Sequence, residues 1–177
     1  KIVLATCHQP LETVCETLSI GRVHDCIGLG VQFARQLGLS APRIAVCGIN
    51  PHAGEDGLLG DEEHRIIQPA IELAQNQWSR DSDTQITGPW PGDTVWKSAL
   101  AGRHDVVVAM YHDQGLIPAK LVAPEGAVNL TLGLPVVRTS PDHGTAFDIA
   151  GQGKADASSM KKAIELALDL IPVGTSL

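Results

Sequence analysis

Three histidines each come directly after an apolar run in this sequence. The runs and their histidines are residues 2–6 with His8, residues 43–49 with His52, and residues 106–110 with His112. Rich in Val and Ile, the runs are typical of strands that are buried on both faces of a parallel sheet. If these strands are parallel neighbours, the three imidazoles open onto one crevice at the carboxyl ends, where α/β sheets bind ligands.

Three neutral imidazoles around an open position are a ligand set for a catalytic divalent metal. Spacings of 44 and 60 residues between them do not define a metal motif, so unrelated loop histidines bonded to backbone carbonyls remain the alternative. Asp113 stands beside His112 and is a candidate acid/base, or a partner that orients the imidazole.

A second group downstream has the chemistry to hold an anion. Lys120, Asn129 and Arg138 lie on or beside predicted strands after His112. The planar fork of Arg138 suits a phosphate or a carboxylate. The alternative is that Lys120 and Arg138 are surface cations in ordinary ion pairs.

Strands that alternate with helices predict an α/β fold with a largely parallel sheet flanked by helices. Further strands are expected at residues 85–87, 127–132 and 136–139. Helices are expected from Ser19 to Leu37, with Gly38 after the end, from Asp61 to Trp78, over a short stretch ending near Leu100, and from Ser158 or Ser159 through Ile171. Turns are expected at residues 88–93 and at Gly115, and an exposed polar segment at residues 80–84.

The chain of 177 residues is long enough for one domain with a sizeable core. Its net charge of -7 argues against a nucleic acid or an anionic membrane as partner. No apolar run approaches a membrane helix, and no signal peptide is visible. None of the four cysteines forms a C-x-x-C pair, which favours a reduced, cytoplasmic protein. Because the chain opens at Lys1 straight into a strand, we expect it to be part of a longer protein.

Several motifs resemble one family in the same order. They are Thr-Cys-His-Gln-Pro-Leu at 6–11, Asn-Pro-His-Ala-Gly-Glu at 50–55, Gly-Pro-Trp-Pro-Gly-Asp-Thr at 88–94, Tyr-His-Asp-Gln-Gly at 111–115, and Val-Asn-Leu-Thr-Leu-Gly-Leu-Pro-Val-Val-Arg-Thr-Ser-Pro-Asp-His-Gly-Thr-Ala at 128–146. Together they resemble the 4-hydroxythreonine-4-phosphate dehydrogenase family of pyridoxal phosphate biosynthesis. The resemblance runs from Lys1 to about Lys162 and covers the C-terminal portion of that family's chain.

The resemblance implies an isopropylmalate-dehydrogenase-like fold, in which residues 1–177 form one α/β unit and the N-terminal part of the two-domain enzyme is missing. It implies an NAD- or NADP-dependent homodimer whose divalent metal (Zn, Mg, Mn or Co) is bound at a site shared across the interface. By resemblance, the metal ligands fall on His8, His52 and His112. The contacts to the substrate phosphate fall on Lys120, Asn129 and Arg138.

The segment from His143 to Asp156 is similar to a loop that binds the adenosine half of the cofactor in the wider superfamily. The residues implied there are His143, Gly144, Thr145, Ala146, Asp148 and Asp156. The implied reaction is metal-dependent oxidation of 4-phosphooxy-threonine, a phosphorylated hydroxy-amino acid, with loss of CO₂. Asp93 and Asp113 are the candidate acid/bases.

Two departures from the family's pattern leave the substrate open. Trp90 stands where a small aliphatic residue is expected, and Gly92 replaces a residue with a side chain. Relatives act on other phosphorylated hydroxy acids, or on a dihydrodiol dicarboxylate from terephthalate breakdown, so either is an alternative. Further alternatives are a non-catalytic dimeric fragment that binds metal and a metallohydrolase, which the cofactor-loop resemblance disfavours.

Overall fold

The computed structural model describes residues 1–79, 83–123 and 126–171, and most of the polar segment expected at residues 80–84 lies outside this part. The strands are β1 (Ile2–Leu4), β2 (Arg43–Cys47), β3 (Gln85–Trp90), β4 (Val106–Ala109), β5 (Val128–Leu130) and β6 (Thr139–Pro141). The α-helices are α1 (Val14–Thr17), α2 (Ile20–Gln36), α3 (Gln68–Trp78), α4 (Val95–Leu100), α5 (His112–Val122) and α6 (Ser158–Leu170). The chain divides into two compact units, Lys1–Pro118 and Ala119–Leu177.

The first unit contains a four-stranded sheet in the order β1-β4-β2-β3, and every pair in it is parallel. The prediction of a parallel α/β fold is therefore confirmed for this unit. The three strands that precede the three histidines are neighbours, with β4 between β1 and β2. Their carboxyl ends lie along one edge of the sheet.

Side chains alternate between the two faces of this sheet, and helices cover both. On one face, a side chain at Gly30 of α2 would contact Val3 and Val106. On the other face, Val95 of α4 packs in a cluster with Ala45, Cys47 and Val107. Because both faces are covered by apolar groups, Val106 to Met110 are at most 2% exposed.

The ends of α2 agree with the sequence prediction. The hydroxyl of Ser19 accepts a hydrogen bond from Arg22 N at 3.1 Å, as an N-cap should. Gly38 follows the helix with a φ of 87°, a left-handed conformation that favours glycine. Five apolar residues recur here at helical spacing; Val23, Ile27, Val31 and Ala34 are fully buried, and Leu37, just after the helix, is partly exposed.

Three local predictions need correction. Of the turn expected at residues 88–93, residues 88–90 are the end of β3, because Trp90 pairs with Cys47 beyond a register shift, and the turn follows at residues 92–94. Gly115 does not turn the chain; it is buried inside α5, where a Cβ would lie 2.7 Å from Leu4 Cδ2. The helix expected from Asp61 to Trp78 forms, but it opens with a π-helical turn at Glu63–Ile67 before α3, and Asp61 accepts from Arg65 N at 2.9 Å with its backbone oxygen.

The second unit is built from an antiparallel pair, β5 and β6, against which α6 packs. The strand expected at residues 136–139 lies later, at Thr139–Pro141, because Leu130 pairs with Thr139. Thr139 Oγ1 donates to Ala163 O at 2.8 Å and Ser159 Oγ donates to Ala127 O at 2.9 Å, which ties α6 to the pair. The expected last helix is confirmed, and no helix among the described residues is long and apolar enough to cross a membrane.

Candidate metal centre and further candidate sites

Two of the three predicted histidines meet at the carboxyl edge of the sheet. The ring centroids of His8 and His112 are 5.3 Å apart, with their planes inclined at 45°. His8 follows β1 and His112 begins α5 directly after β4. Because β1 and β4 pair in parallel, the two chain segments leave the sheet side by side.

Asp113 contacts His112 in the way expected of an orienting carboxylate. Its Oδ1 lies 2.7 Å from His112 Nδ1, so the other ring nitrogen of His112 is left to face a ligand. The Asp113 side chain is 71% exposed, and that of His112 is 37% exposed. The contact between Asp113 and His112 therefore lies at the protein surface and not in the core. It determines which ring nitrogen of His112 carries the proton.

Two polar side chains fix the strand ends beneath this pair. Thr6 Oγ1 donates to Met110 O at 2.8 Å, which joins the end of β1 to the end of β4. Gln114 Oε1 accepts from Met110 N at 2.6 Å, while its Nε2 donates to Gly48 O at 2.7 Å, which joins β4 to β2. These contacts restrict how far the segments that carry His8, His52 and His112 can shift.

His52 lies in a segment with an unusual backbone. In the left-handed turn, defined here as Pro51–Gly57, residues 52–56 all have φ between 43° and 82°. Four of these five are not glycine: His52, Ala53, Glu55 and Asp56. A left-handed helical conformation costs such residues roughly 1–2 kcal/mol each, so neighbouring contacts must hold this turn in place.

Glu63 supplies contacts of that kind from beneath the left-handed turn. This carboxylate is only 2% exposed. Its Oε1 accepts from Ile49 N at 2.7 Å and from Asn50 N at 2.8 Å, and its Oε2 accepts from Asn50 Nδ2 at 2.9 Å. The end of β2 is therefore bound to a buried anion just before the turn begins.

The separation of the His8 and His112 rings is compatible with one divalent metal between them. Two imidazoles that ligate one ion at about 2.0–2.1 Å and a tetrahedral angle have centroids roughly 5 Å apart, close to the separation observed here. His52 does not complete the set within the chain. Across residues 1–79, 83–123 and 126–171, no three His, Cys, Asp or Glu side chains are grouped closely enough to hold a metal ion. The three-histidine ligand set stays a prediction.

The predicted Asp93 and the two departures from the family's pattern lie at the end of β3, where Trp90 is the last strand residue, and just beyond it. Asp93 is exposed, between β3 and α4. Trp90 Nε1 donates to Thr87 Oγ1 at 3.0 Å, and its ring centroid lies 5.7 Å from that of His104. A Cβ at Gly92 would lie 2.8 Å from Gln114 Nε2, so the glycine leaves room for the Gln114 bridge.

In the second unit, Asn129 and Arg138 lie on the same face of the β5–β6 pair. Asn129 pairs with Ser140, and Thr131 N donates to Arg138 O one position further along. Arg138 is exposed and its Nη1 donates to Thr131 Oγ1 at 2.9 Å. Lys120 Nζ lies 3.7 Å from Asp142 Oδ2, an ion pair between an exposed lysine and a partly buried aspartate with which a bound anion would compete.

The predicted cofactor loop, residues 143–156, is mostly exposed. The candidates His143, Gly144, Thr145, Ala146, Asp148 and Asp156 are all at its surface. Asp156 has a local role in the structure: its Oδ1 accepts from Ser158 N at 2.9 Å and Ser158 Oγ at 2.6 Å, where α6 begins. These hydrogen bonds lower the pKa of Asp156. Its cofactor contact stays a prediction.

Glu63 and Gln114 are the residues at this edge that the sequence interpretation missed. Glu63 belongs to an acidic run with Asp61 and Glu62 that is typical of a solvated helix face. The position of Gln114, two residues after His112, could have indicated a role near the site. Nothing in the local sequence indicates that its side chain bonds to Gly48, 66 residues away.

A parallel α/β sheet whose carboxyl edge carries paired imidazoles and an orienting carboxylate defines the first unit as an α/β domain with a candidate metal centre. Residues 1–167 match the family described as pyridoxal phosphate biosynthetic protein PdxA, and the chain belongs to this family.

Known relatives agree with this family. The chain is 55% identical to a 4-hydroxythreonine-4-phosphate dehydrogenase of Desulfosudis oleivorans, over 96% of the chain and 49% of the relative. It is 51% identical to a D-threonate 4-phosphate dehydrogenase of Salmonella typhimurium, over 96% of the chain and 50% of the relative. A crystal structure of 4-hydroxythreonine-4-phosphate dehydrogenase from Klebsiella pneumoniae superposes with a TM-score of 0.85 at 48% identity, over 96% of this chain and 50% of that one. The chain therefore spans about half the length of the curated relatives it matches.

Proposed function

We propose that the protein oxidises and decarboxylates 4-phosphooxy-threonine, using a divalent metal and NAD or NADP, in the cytoplasmic biosynthesis of pyridoxal phosphate. The observation that carries the proposal is the pair formed by His8 and His112, whose ring centroids are 5.3 Å apart at the carboxyl edge of the parallel sheet. The name of the 55% identical relative supports the choice of substrate.

In this proposal His8 and His112 of one subunit hold the metal (Zn, Mg, Mn or Co), together with His52 of the partner subunit in a homodimer. A metal bound there would lower the pKa of the substrate hydroxyl and polarise the nascent carbonyl. Asp113 keeps Nδ1 of His112 engaged, so that the other ring nitrogen faces the metal. Asp93, exposed after β3, is the candidate acid/base that exchanges a proton with solvent.

The substrate phosphate is assigned to Lys120, Asn129 and Arg138. Asn129 and Arg138 already share one face of the β5–β6 pair, which supports a common ligand. Arg138 would supply a two-pronged cationic donor, Asn129 a neutral donor that fixes orientation, and Lys120 a point charge. The adenosine half of the cofactor, whose nicotinamide ring accepts the hydride, is assigned to the loop of residues 143–156.

D-threonate 4-phosphate is a second candidate substrate, favoured by the name of the 51% identical relative. It carries a hydroxyl where the amino acid carries an amine, and both have the phosphate. The groups assigned to the metal and the phosphate serve either substrate, so the choice between them rests on contacts to that one substituent.

The test is an assay in which the purified natural protein catalyses reduction of NAD⁺ or NADP⁺ by the substrate. The readout is the absorbance of the reduced nicotinamide. Each phosphorylated substrate is compared with its phosphate-free counterpart, before and after removal of metal by a chelator. The expected result is activity that needs both the phosphate and the metal. Turnover that persists undiminished in the chelated protein, or none with either phosphorylated substrate in the metal-loaded protein, would contradict the proposal.

A further inference from the structure

We infer that Glu63 is a positioning residue that holds the left-handed turn (Pro51–Gly57), and through it the imidazole of His52, at the carboxyl end of β2. The inference rests on the proposed function for the role of His52 as a metal ligand. It concerns a residue that touches neither the metal candidates nor the substrate candidates.

The first step of the argument is the placement of the Glu63 carboxylate under the entry to the left-handed turn. Its Oε1 accepts from two consecutive backbone N–H groups, Ile49 and Asn50, at 2.7 and 2.8 Å. Those residues connect β2 to the turn, and Asn50 O in turn accepts from Ala53 N at 3.1 Å. The carboxylate thereby fixes the direction in which the chain leaves the sheet.

The second step of the argument is the close packing of the Glu63 carboxylate against Gly48 and Gly54. A Cβ on Gly54, in the middle of the left-handed turn, would lie 2.7 Å from Glu63 Oε2, and one on Gly48 would lie 2.8 Å from Glu63 Oε1. The carboxylate therefore contacts the chain both before the turn and within it. Since Glu63 is 2% exposed, water cannot readily replace it as the acceptor for these N–H groups.

Only a group with two acceptor atoms satisfies all three hydrogen bonds. A carboxylate accepts at both oxygens, whereas the amide of glutamine has one acceptor and one donor. In Glu63→Gln a neutral amide with one acceptor replaces the anion. If its oxygen faces Ile49 N and Asn50 N, its NH₂ group points at Asn50 Nδ2, which is also a donor; if the amide is turned round, both backbone N–H groups lose their acceptor. The size of the side chain is kept, while the backbone clamp, meaning the hydrogen bonds from Ile49 N and Asn50 N, loses its anionic acceptor in the first orientation and any acceptor in the second.

Neighbouring Glu62 offers a matched control. Glu62 Oε2 accepts from the same Asn50 Nδ2 at 2.7 Å. The hydrogen bonds to Ile49 N and Asn50 N belong to Glu63 instead, so Glu62→Gln removes a comparable charge and leaves the backbone clamp intact.

The first measurement is nuclear magnetic resonance on the chain of 18.7 kDa. The Cα and Cβ shifts of His52, Ala53 and Glu55 report the left-handed backbone, and amide exchange at Ile49 and Asn50 reports the clamp. In Glu63→Gln we expect the left-handed shifts to be lost and the protection of both amides to fall about tenfold or more, with neither change in Glu62→Gln. If Glu63→Gln does not fold, Glu63→Asp, which keeps the charge but retracts it by one methylene, is measured in its place. Left-handed shifts and amide protection that survive in the folded variant would overturn the inference.

The second measurement is titration with cobalt(II) alone, followed by visible absorption. Because the loss of an outer-shell partner typically weakens metal affinity by about 10–100-fold, we expect a loss of this size in Glu63→Gln. Adding Glu63→Gln to His52→Ala should cause no further loss, since both changes act through the same imidazole. Additive losses would contradict action through His52. If His52→Ala binds cobalt as well as the parent while the turn collapses in Glu63→Gln, the proposed ligand role of His52 fails and the positioning by Glu63 is upheld.

Discussion

Gln114 donates a hydrogen bond from Nε2 to the carbonyl oxygen of Gly48 at 2.7 Å, although 66 residues separate them. The same side chain accepts from Met110 N at 2.6 Å. One amide thus joins the carboxyl ends of β4 and β2, from which the segments bearing His112 and His52 begin. The spacing of the candidate ligands depends on contacts of this kind more than on the ligands themselves.

Loss of the two Gln114 hydrogen bonds should lower the free energy of unfolding. Gln114→Leu leaves Met110 N and Gly48 O without their partner, which should lower the free energy of unfolding by about 1–3 kcal/mol. Urea unfolding is the measurement, with Gln36→Leu on the exposed surface of α2 as the control. Equal losses in the two variants would mean that the bridge adds nothing beyond an ordinary surface glutamine.

Asp113 should influence metal binding without influencing folding. Since its carboxylate is 71% exposed and orients His112, Asp113→Asn should weaken the affinity for zinc about 10–100-fold and leave the melting temperature unchanged. Calorimetric titration measures the affinity. Asp25→Asn is the control, because Asp25 contacts its neighbour His24 in a similar sequence-adjacent pair. A zinc affinity that is the same in Asp113→Asn as in the parent would exclude the orienting role.

These sites show what the sequence could and could not predict. The apolar runs before His8, His52 and His112 predict strands in a parallel sheet, because burial on both faces favours an apolar residue at every position; that the three strands are neighbours comes from the structure. The left-handed turn around His52 could not be predicted, since it depends on the buried carboxylate of Glu63 rather than on local preference. Gly115 was assigned to a turn because a glycine after a strand usually allows one. Its actual role, close packing of α5 on Leu4, is a tertiary contact.

The stability of the first unit should fall in acid through Asp105. Hydrogen bonds from the Arg43 side chain hold the pKa of this carboxyl below its ordinary value of 3.8. A pKa that is lower in the folded state means that the unfolded chain binds the proton more readily. The stabilisation is therefore present above about pH 4 and is lost as the pH falls through the folded-state pKa. Urea unfolding at a series of pH values should show a smaller acid-induced loss in Asp105→Asn than in the parent; equal losses would assign the acid sensitivity to other groups.

Arg138 should matter for phosphorylated substrates in particular. In the natural protein, Arg138→Met should raise KM roughly tenfold or more for the phosphorylated substrate, with little change for its phosphate-free counterpart. If phosphate binding also positions the reacting carbon, kcat falls as well. Steady-state kinetics on both substrates measure this, with the exposed Arg103→Met as the control. An equal loss on both substrates would remove Arg138 from the phosphate site.

The pairing of His8 with His112 as ligands of one ion is tested most directly by a crystal structure of the protein grown with cobalt(II). The anomalous difference map at the cobalt edge locates the metal without reference to activity. The account predicts one peak that lies about 2.0–2.2 Å from a ring nitrogen of His8 and from a ring nitrogen of His112. A fully occupied cobalt peak elsewhere on the protein, or one bound by only one of the two histidines, would contradict it.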